Sequence, residues 1–485
     1  MKKMLKDLLC NLQYVDIVGS TEMSVSQLCL TSTNVVPSSL FIALRGSNND
    51  GHNFIRDAIF SGANSVICER LPNNLSDKVT YVLVEDSASA LSSIASHFFN
   101  NPSSKIKLIG ITGTNGKTST TYYLASLFRQ LNYKVGLIST IEYQIDSLIL
   151  PSTHTTPNAI VLNELLSKMV QAGCEYCFME VSSHGISQKR TTGLNFEIGV
   201  FTNLSRDHLD YHNTFNNYLN TKKKFFDDLS NLATSVINMD DNYGSSMVLE
   251  SKSKKVFYSL HKKSHYNATL LDSDSTGLVI SIDGNEICTS LAGDFNAYNL
   301  LAVFSVAMEL GENKSQVLRL LSTLLPVPGR FNTINSEYGI FGIIDYAHTP
   351  EALSQVISSI SNFGNTKQNL IIVIGCGGNR DRGKRPEMAK IASEHSKLII
   401  LTSDNPRFEK PKSIIADMLD GIKDDNQNKV KTIIDREEAI KFAVKSSVKG
   451  SIILVAGKGH EKYQDINGQK LPFDDYLVLK KFLKK

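Results

Sequence analysis

No apolar run in this 485-residue chain approaches the length needed to cross a bilayer. The start, Met1-Lys-Lys-Met-Leu-Lys-Asp7, places charges where an export signal needs an apolar core, so the expected location is the cytoplasm, with no membrane partner. Charge of one sign is equally scarce. A net charge of +3 over this length gives no electrostatic case for nucleic acid. The seven cysteines are scattered, and the close pair Cys174-Glu-Tyr-Cys177 has no second pair to complete a zinc site. Internal repeats and low-complexity tracts are lacking too. With 41% apolar and 20% charged residues, the composition is that of an ordinary globular protein. The chain is too long for one core and predicts about three domains.

One stretch stands out, Gly110-Ile-Thr-Gly-Thr-Asn-Gly-Lys-Thr-Ser119. The apolar Lys105–Ile109 before it reads as a strand, and Thr120–Phe128 after it as a helix. A glycine-rich turn between them would aim backbone N–H groups and a positive helix end at one spot, which suits a polyphosphate. Lys117 adds a point charge and Thr118 a hydroxyl for Mg²⁺. The spacing departs from G-x-x-x-x-G-K-[ST], because Ile111 stands at the first glycine's place and Gly113 follows two residues later.

Around this turn the chain divides into residues 1–102, 103–328 and 329–485. The first part reads as a small α/β unit with a polar loop, Arg45–His52. The second alternates strand and helix as a mostly parallel sheet covered on both faces. Polar clusters follow its strands at Glu180–His184 and Thr202–His208, with His154–Pro157 in a connection, and ligands of open α/β sheets sit at the carboxyl ends of strands. Residues 255–291 read as short strands and turns. The third part again alternates, with strands at 341–345, 370–375, 398–401 and 452–455 each running into a glycine-bearing polar loop.

Magnesium takes hard oxygen ligands, and Thr118 and Glu180 offer two. A carboxylate at the end of an apolar strand is either paired or liganding. His208 is a third ligand or a hydrogen-bonding neighbour. Lys222-Lys-Lys224 lie on a helix and cannot share one face, so one points inward or all three form a basic surface. In the third part, Asp345–Pro350, Gly375–Arg385, Ser403–Arg407 and Ala456–Glu461 occupy equivalent strand ends. Arginine binds carboxylate bidentately, and arginines mixed with acidic groups suit a zwitterionic amino acid.

The motifs Gly-Thr-Asn-Gly-Lys-Thr (113 to 118), Glu-Val-Ser-Ser-His-Gly (180 to 185), Asn-Leu-Ser-Arg-Asp-His-Leu-Asp (203 to 210) and Asp-Tyr-Ala-His-Thr-Pro (345 to 350) together resemble the muramyl ligases of peptidoglycan synthesis. The resemblance runs from end to end. It implies three domains, for a UDP-sugar substrate, for ATP and for an incoming amino acid. It also implies an ATP- and Mg²⁺-dependent, monomeric amide ligase that attaches meso-diaminopimelate to UDP-N-acetylmuramoyl-L-alanyl-D-glutamate through an acyl phosphate. The alternatives are a lysine-adding relative, a folate-adding ligase and a non-catalytic nucleotide-binding protein.

By the same resemblance Lys117, Lys222 and His208 serve catalysis, with Lys222 carbamylated and holding a second Mg²⁺ beside His208. Thr118 and Glu180 hold the first. Gly113, Thr114, Asn115, Gly116, Lys117, Thr118, Ser119, Asn296, Arg330 and Asp345 contact ATP. Thr155, Thr156, Ser182, Gln188 and Arg190 contact the muramoyl dipeptide, and Leu30, Ser32, Ser47, Asn48 and Asn49 the uridine end. Thr31-Ser-Thr33 departs from the usual Asp-Ser-Arg there. Arg380, Asp404, Asn405, Pro406, Arg407, Gly457 and Glu461 form the amino-acid pocket, and Asp-Asn-Pro-Arg is the form associated with diaminopimelate.

Overall fold

The computed structural model describes residues 2–46, 49–361, 363 and 369–484. Its largest sheet has eleven strands, centred on Lys107–Thr112. Tyr176–Glu180 pairs parallel on one side of that strand and Ile198–Phe201 on the other, so Ile109 sits opposite Phe178 and Ile198. Apart from the exposed Lys107 these runs are buried, as expected where helices cover both faces of a parallel sheet. Lys117–Gln130 and Phe295–Glu309 cover one face, Ala159–Gln171 and Phe215–Asp227 the other. Two antiparallel hairpins extend the edges: Glu142–Ile145 with Leu148–Pro151, and Gly277–Ile282 with Asn285–Thr289. The latter belongs to the stretch read from sequence as short strands and turns. It continues the same sheet.

The phosphate turn is also shorter than the sequence suggests. Gly110, Ile111 and Thr112 lie inside the strand, and the turn proper is Gly113–Gly116. Gly110 serves packing, because a Cβ there would come within 2.7 Å of the Phe196 ring and 2.8 Å of Phe225.

A six-stranded sheet follows, in the order Asn332–Asn335, Phe341–Asp345, Ile452–Ala456, Leu370–Ile374, Leu398–Leu401, Val430–Thr432. All neighbours but the first pair run parallel, which sets the ends Asp345, Ala456, Ile374 and Leu401 side by side. A five-stranded sheet carries the first part of the chain, including Asp16–Val18 and Gln27–Cys29, which periodicity did not reveal in such short segments. No described helix is long and apolar enough to cross a membrane.

Beneath the six-stranded sheet, Arg436 and Asp475 form a bidentate ion pair with both side chains fully buried: Nε to Oδ1 and Nη2 to Oδ2 are each 2.8 Å. Arg436 Nη2 also donates to Ala456 O at 3.0 Å. Breaking a buried pair from one side leaves an uncompensated charge, so Arg436→Met should lower stability by about 3–5 kcal/mol. Thermal unfolding checks this; Arg436→Met with Asp475→Leu should recover part of the loss, and an unchanged midpoint in the single variant would contradict the argument.

Candidate functional site

A cavity of about 820 Å³ lies between the carboxyl ends of the eleven- and six-stranded sheets. On the central side, Gly113 (φ 153°) and Gly116 (φ 83°) bend the chain from strand into helix. A Cβ at Gly113 would fall 1.9 Å from Thr202 Oγ1, and that hydroxyl is engaged with Asn115 O at 2.6 Å. Asn203 holds the turn by accepting from Thr114 N (2.8 Å, to its backbone O) and Asn115 N (2.9 Å, to Oδ1). The helix then opens at Lys117 with its first amides facing the cavity, beside Thr118 and Ser119 in the wall. Lys117 Nζ folds back onto Gly113 O and Thr114 O, both 2.8 Å away. Burial pulls its pKa below the usual lysine value, with Glu180 and Asp207 opposing the shift.

Glu180 ends its strand with no solvent exposure. It accepts from Thr118 Oγ1 at 3.0 Å, Thr140 N at 2.8 Å and Thr140 Oγ1 at 3.2 Å. Among the described residues no cation forms an ion pair with it. A buried, unneutralised carboxylate next to a hydroxyl is a donor set that fits Mg²⁺, a hard cation that binds one or two protein oxygens and keeps waters and phosphate oxygens. No group of three or more His, Cys, Asp or Glu is placed to hold a metal among the described residues.

His208 takes a left-handed backbone (φ 54°), with Nε2 3.4 Å from Asp207 Oδ2 and its ring 4.9 Å from that of His184. Burial pushes its pKa down to about 3, which leaves a neutral imidazole with a free lone pair. Of the three consecutive lysines, Lys222 alone turns inward, 1% exposed, with Nζ 2.8 Å from Gly113 O and 3.4 Å from Thr112 Oγ1. No carboxylate pairs with it among the described residues, and burial holds its pKa well below the lysine range. Lys223, half-buried, pairs with Asp227 and Glu250, and the exposed Lys224 with Asp228.

Thr155, Thr156, Ser182, Gln188 and Arg190 form another wall of the cavity. Thr156 Oγ1 donates to Glu180 O (2.8 Å) and accepts from Ser182 N (2.9 Å), and Arg190 donates to Gln188 Oε1. Opposite stand Arg380, Asp404, Asn405, Arg407, Gly457 and Glu461. Arg407 Nη1 donates to Gly378 O at 2.8 Å, and a Cβ on Gly457 (φ 112°) would lie 2.6 Å from Asp404 Oδ2. Burial raises the pKa of Glu461, with Lys458 pulling the other way.

Linking the two sides, Arg330 Nη2 donates to Thr118 Oγ1 at 3.0 Å while its guanidinium lies 4.4 Å over the Tyr346 ring. Tyr346 in turn stands 5.0 Å from the His460 ring. Gly329 and Gly459 interlock beside them: a Cβ at Gly329 would be 2.0 Å from His460 N, and one at Gly459 2.6 Å from Gly329 O. Asp345 lines the cavity, but both its oxygens already accept amides, from Phe331 and Ala347, at 2.7 Å. Burial raises its pKa.

Some expected residues are not brought to this cavity. Asn296 lies behind the wall, bonded to Ala292 O, Tyr123 and Asn299, and Asn299 lines the cavity in its stead. Pro406 is buried within its loop. Leu30, Ser32 and Asn49 lie apart, near the five-stranded sheet, and Ser47 and Asn48 fall outside the described residues. His184, Tyr346, Lys384 and His460 lie in strand-end clusters that the sequence marked without assigning these residues a role, and they line the cavity; the hairpin Tyr463–Ile466 with Gln469–Pro472, whose Tyr463 and Lys470 also line it, was missed. An Asn467-Gly468 turn was the available signal for that hairpin.

A phosphate turn and a pocket of arginines and carboxylates sharing one cavity define an ATP-dependent ligase. Residues 24–99, 111–307 and 329–459 match the families described as "Mur ligase family, catalytic domain", "Mur ligase middle domain" and "Mur ligase, glutamate ligase domain". The chain belongs to the Mur ligase family. It is 49% identical over 476 residues to the UDP-N-acetylmuramoyl-L-alanyl-D-glutamate--2,6-diaminopimelate ligase of Bacteroides fragilis, with 98% of each chain covered. It is 48% identical to the protein of the same name in Cytophaga hutchinsonii, with 99% of each covered. A solved structure under that name shares 31% identity and a TM-score of 0.69, covering 100% of this chain and 99% of that one. The MurF ligase of Thermotoga maritima in complex with ADP, 21% identical, has the same fold at a TM-score of 0.62, over 90% of this chain and 94% of its own.

Proposed function

We propose that the chain joins an amino group of meso-diaminopimelate to the γ-carboxylate of UDP-N-acetylmuramoyl-L-alanyl-D-glutamate at the expense of ATP. The observation that carries this reading is the placement of Arg380, Arg407 and Glu461 in the same cavity as Lys117 and Thr118. The relatives named above bear that activity in their names. The distal end of diaminopimelate has a carboxylate that lysine lacks, and an arginine binds it bidentately. Residues 1–102 would hold the uridine end, through Leu30, Ser32 and the 47–49 loop; 103–328 would hold ATP and 329–485 the amino acid.

Transfer of the γ-phosphoryl group breaks its bond to the ADP oxygen and forms one to the glutamate carboxylate, giving an acyl phosphate. The amine then attacks the carbonyl carbon, the carbon–oxygen bond to phosphate breaks, and a proton leaves the nitrogen. Lys117 and the amides that open its helix stabilise the moving phosphate charge. Thr118 and Glu180 would hold a first Mg²⁺, and His208 with a carbamate on Lys222 a second, supplying charge neutralisation at the phosphates. Thr155, Thr156, Ser182, Gln188 and Arg190 hold the dipeptide with its γ-carboxylate toward the turn.

Mass analysis of the product made from an equimolar amino-acid mixture tests this. Incorporation of diaminopimelate is expected, with phosphate release that requires both substrates. Arg407→Lys should narrow the kcat/KM preference for diaminopimelate over lysine by roughly tenfold or more, because a point charge replaces a bidentate fork. Incorporation of lysine by the unmodified protein would overturn the assignment.

A further inference from the structure

Lys458 carries a buried charge that the reaction described above does not use. Its side chain is fully buried behind the pocket wall, with Nζ 3.0 Å from Asn405 Oδ1 and 3.0 Å from Glu461 Oε2. Asn405 Oδ1 also accepts from Asp465 N at 2.9 Å. With two donors on that oxygen, the amide orientation is fixed, and Asn405 Nδ2 donates to Glu461 Oε2 at 2.7 Å. One oxygen of Glu461 is thus occupied by two donors from behind, and Oε1 remains for the cavity side.

From this geometry we infer that Lys458 is a positioning and specificity-determining residue, which aims Glu461 Oε1 at the distal ammonium of the amino acid and balances the pocket toward a zwitterionic distal end. The inference rests on the amino-acid pocket proposed above. The pocket wall presents Arg380 and Arg407 together with Asp404 and Glu461, and Lys458 behind it supplies Glu461 with a counter-charge. Charges of both signs suit a distal end that carries an ammonium and a carboxylate together over one that carries an ammonium alone.

Lys458 also joins two loops. Asn405 sits in the turn after Leu398–Leu401 and Glu461 in the turn after Ile452–Ala456, so one ammonium sets both walls. The charged and titratable groups facing Glu461 are Lys458 on its own loop, Asp404 from the adjacent loop, Arg436 from beneath the sheet and Tyr346 from the third strand end. Burial and Asp404 favour the neutral acid, and Lys458 opposes them. Only the ionised acid pairs with an ammonium, so removing Lys458 moves the loss of amino-acid binding to higher pH.

The experiment is steady-state kinetics of the full-length protein carrying Lys458→Met. The KM for diaminopimelate should rise about tenfold to a hundredfold, with kcat and the KM for ATP within about threefold. The acid limb of kcat/KM for the amino acid should shift upward, and the preference for diaminopimelate over lysine should shrink. Where the methionine variant does not fold, Lys458→Gln, which keeps a donor for Asn405 without the charge, reads the same quantities. An unmoved acid limb with an unchanged substrate preference overturns the inference, as does a fall in kcat with both KM values unaltered. The unmodified protein serves as the control: if it fails to use diaminopimelate, the pocket assignment falls; if it uses it and Lys458→Met behaves identically, only the role of Lys458 falls.

Discussion

Replacing Lys222 by alanine should lower turnover by about 10²–10³-fold or more, the scale on which loss of one preorganised charge-stabilising group acts. Lysine side chains are seldom fully buried without a partner, yet Lys222 is 1% exposed, and among the described residues its ammonium meets Gly113 O, Thr112 Oγ1 and the face of the Tyr218 ring but no carboxylate. Burial disfavours its charged form, so the amine is held toward neutrality near the phosphate turn. A neutral amine can add to CO₂, forming a carbamate and releasing a proton; on Lys222 this would convert a buried amine into an oxygen ligand. Short carboxylates such as acetate should therefore restore part of the activity of Lys222→Ala, while Lys223→Ala and Lys224→Ala stay within about threefold, as surface ion pairs contribute little. Comparable losses at all three lysines, or no rescue at any carboxylate concentration, would refute the assignment.

Glu180→Gln should produce a loss of similar size, about 10²–10³-fold in kcat, together with a higher Mg²⁺ requirement. The substitution keeps the shape of the side chain and an acceptor oxygen for Thr118 or Thr140, but removes a charge that makes no ion pair among the described residues. Phosphate release titrated with Mg²⁺ separates this from a packing defect. A defect in packing lowers the amount of folded protein at every Mg²⁺ concentration, whereas loss of a metal ligand moves the midpoint of the titration. A normal midpoint with normal kcat would remove Glu180 from the metal site.

These residues were legible in the sequence to different degrees. Glu180 could be placed because it ends a buried strand, and Thr118 because it opens the helix after the short turn that follows one; the end of a parallel strand fixes where the next residues go. For Lys222 the sequence allowed one inward lysine without saying which. The deciding signal was nonetheless present: Tyr218, Lys222, Phe225 and Phe226 recur at the spacing of one helix face, and all four are buried. Lys458 was passed over for the opposite reason. Its loop is polar and rich in glycine, and burial of a lysine there depends on Asn405 and Glu461, which sequence separation hides. Asn296 shows the converse case, a polar residue at the start of a helix next to the cavity whose hydrogen bonds are made inside the core. The hairpin of Glu142–Ile145 with Leu148–Pro151 escaped because strands that pair at an edge alternate only over a few residues.

The interlock of Gly329 with Gly459 bears on how the protein can move. The linker that enters the six-stranded sheet and the loop that carries Glu461 touch backbone to backbone, so neither can slide past the other by a side-chain rotation. Gly329 lies next to Arg330 in the chain and Gly459 two residues before Glu461, and Arg330 reaches Thr118. A side chain at either glycine would therefore push apart the backbone that carries groups on both sides of the cavity.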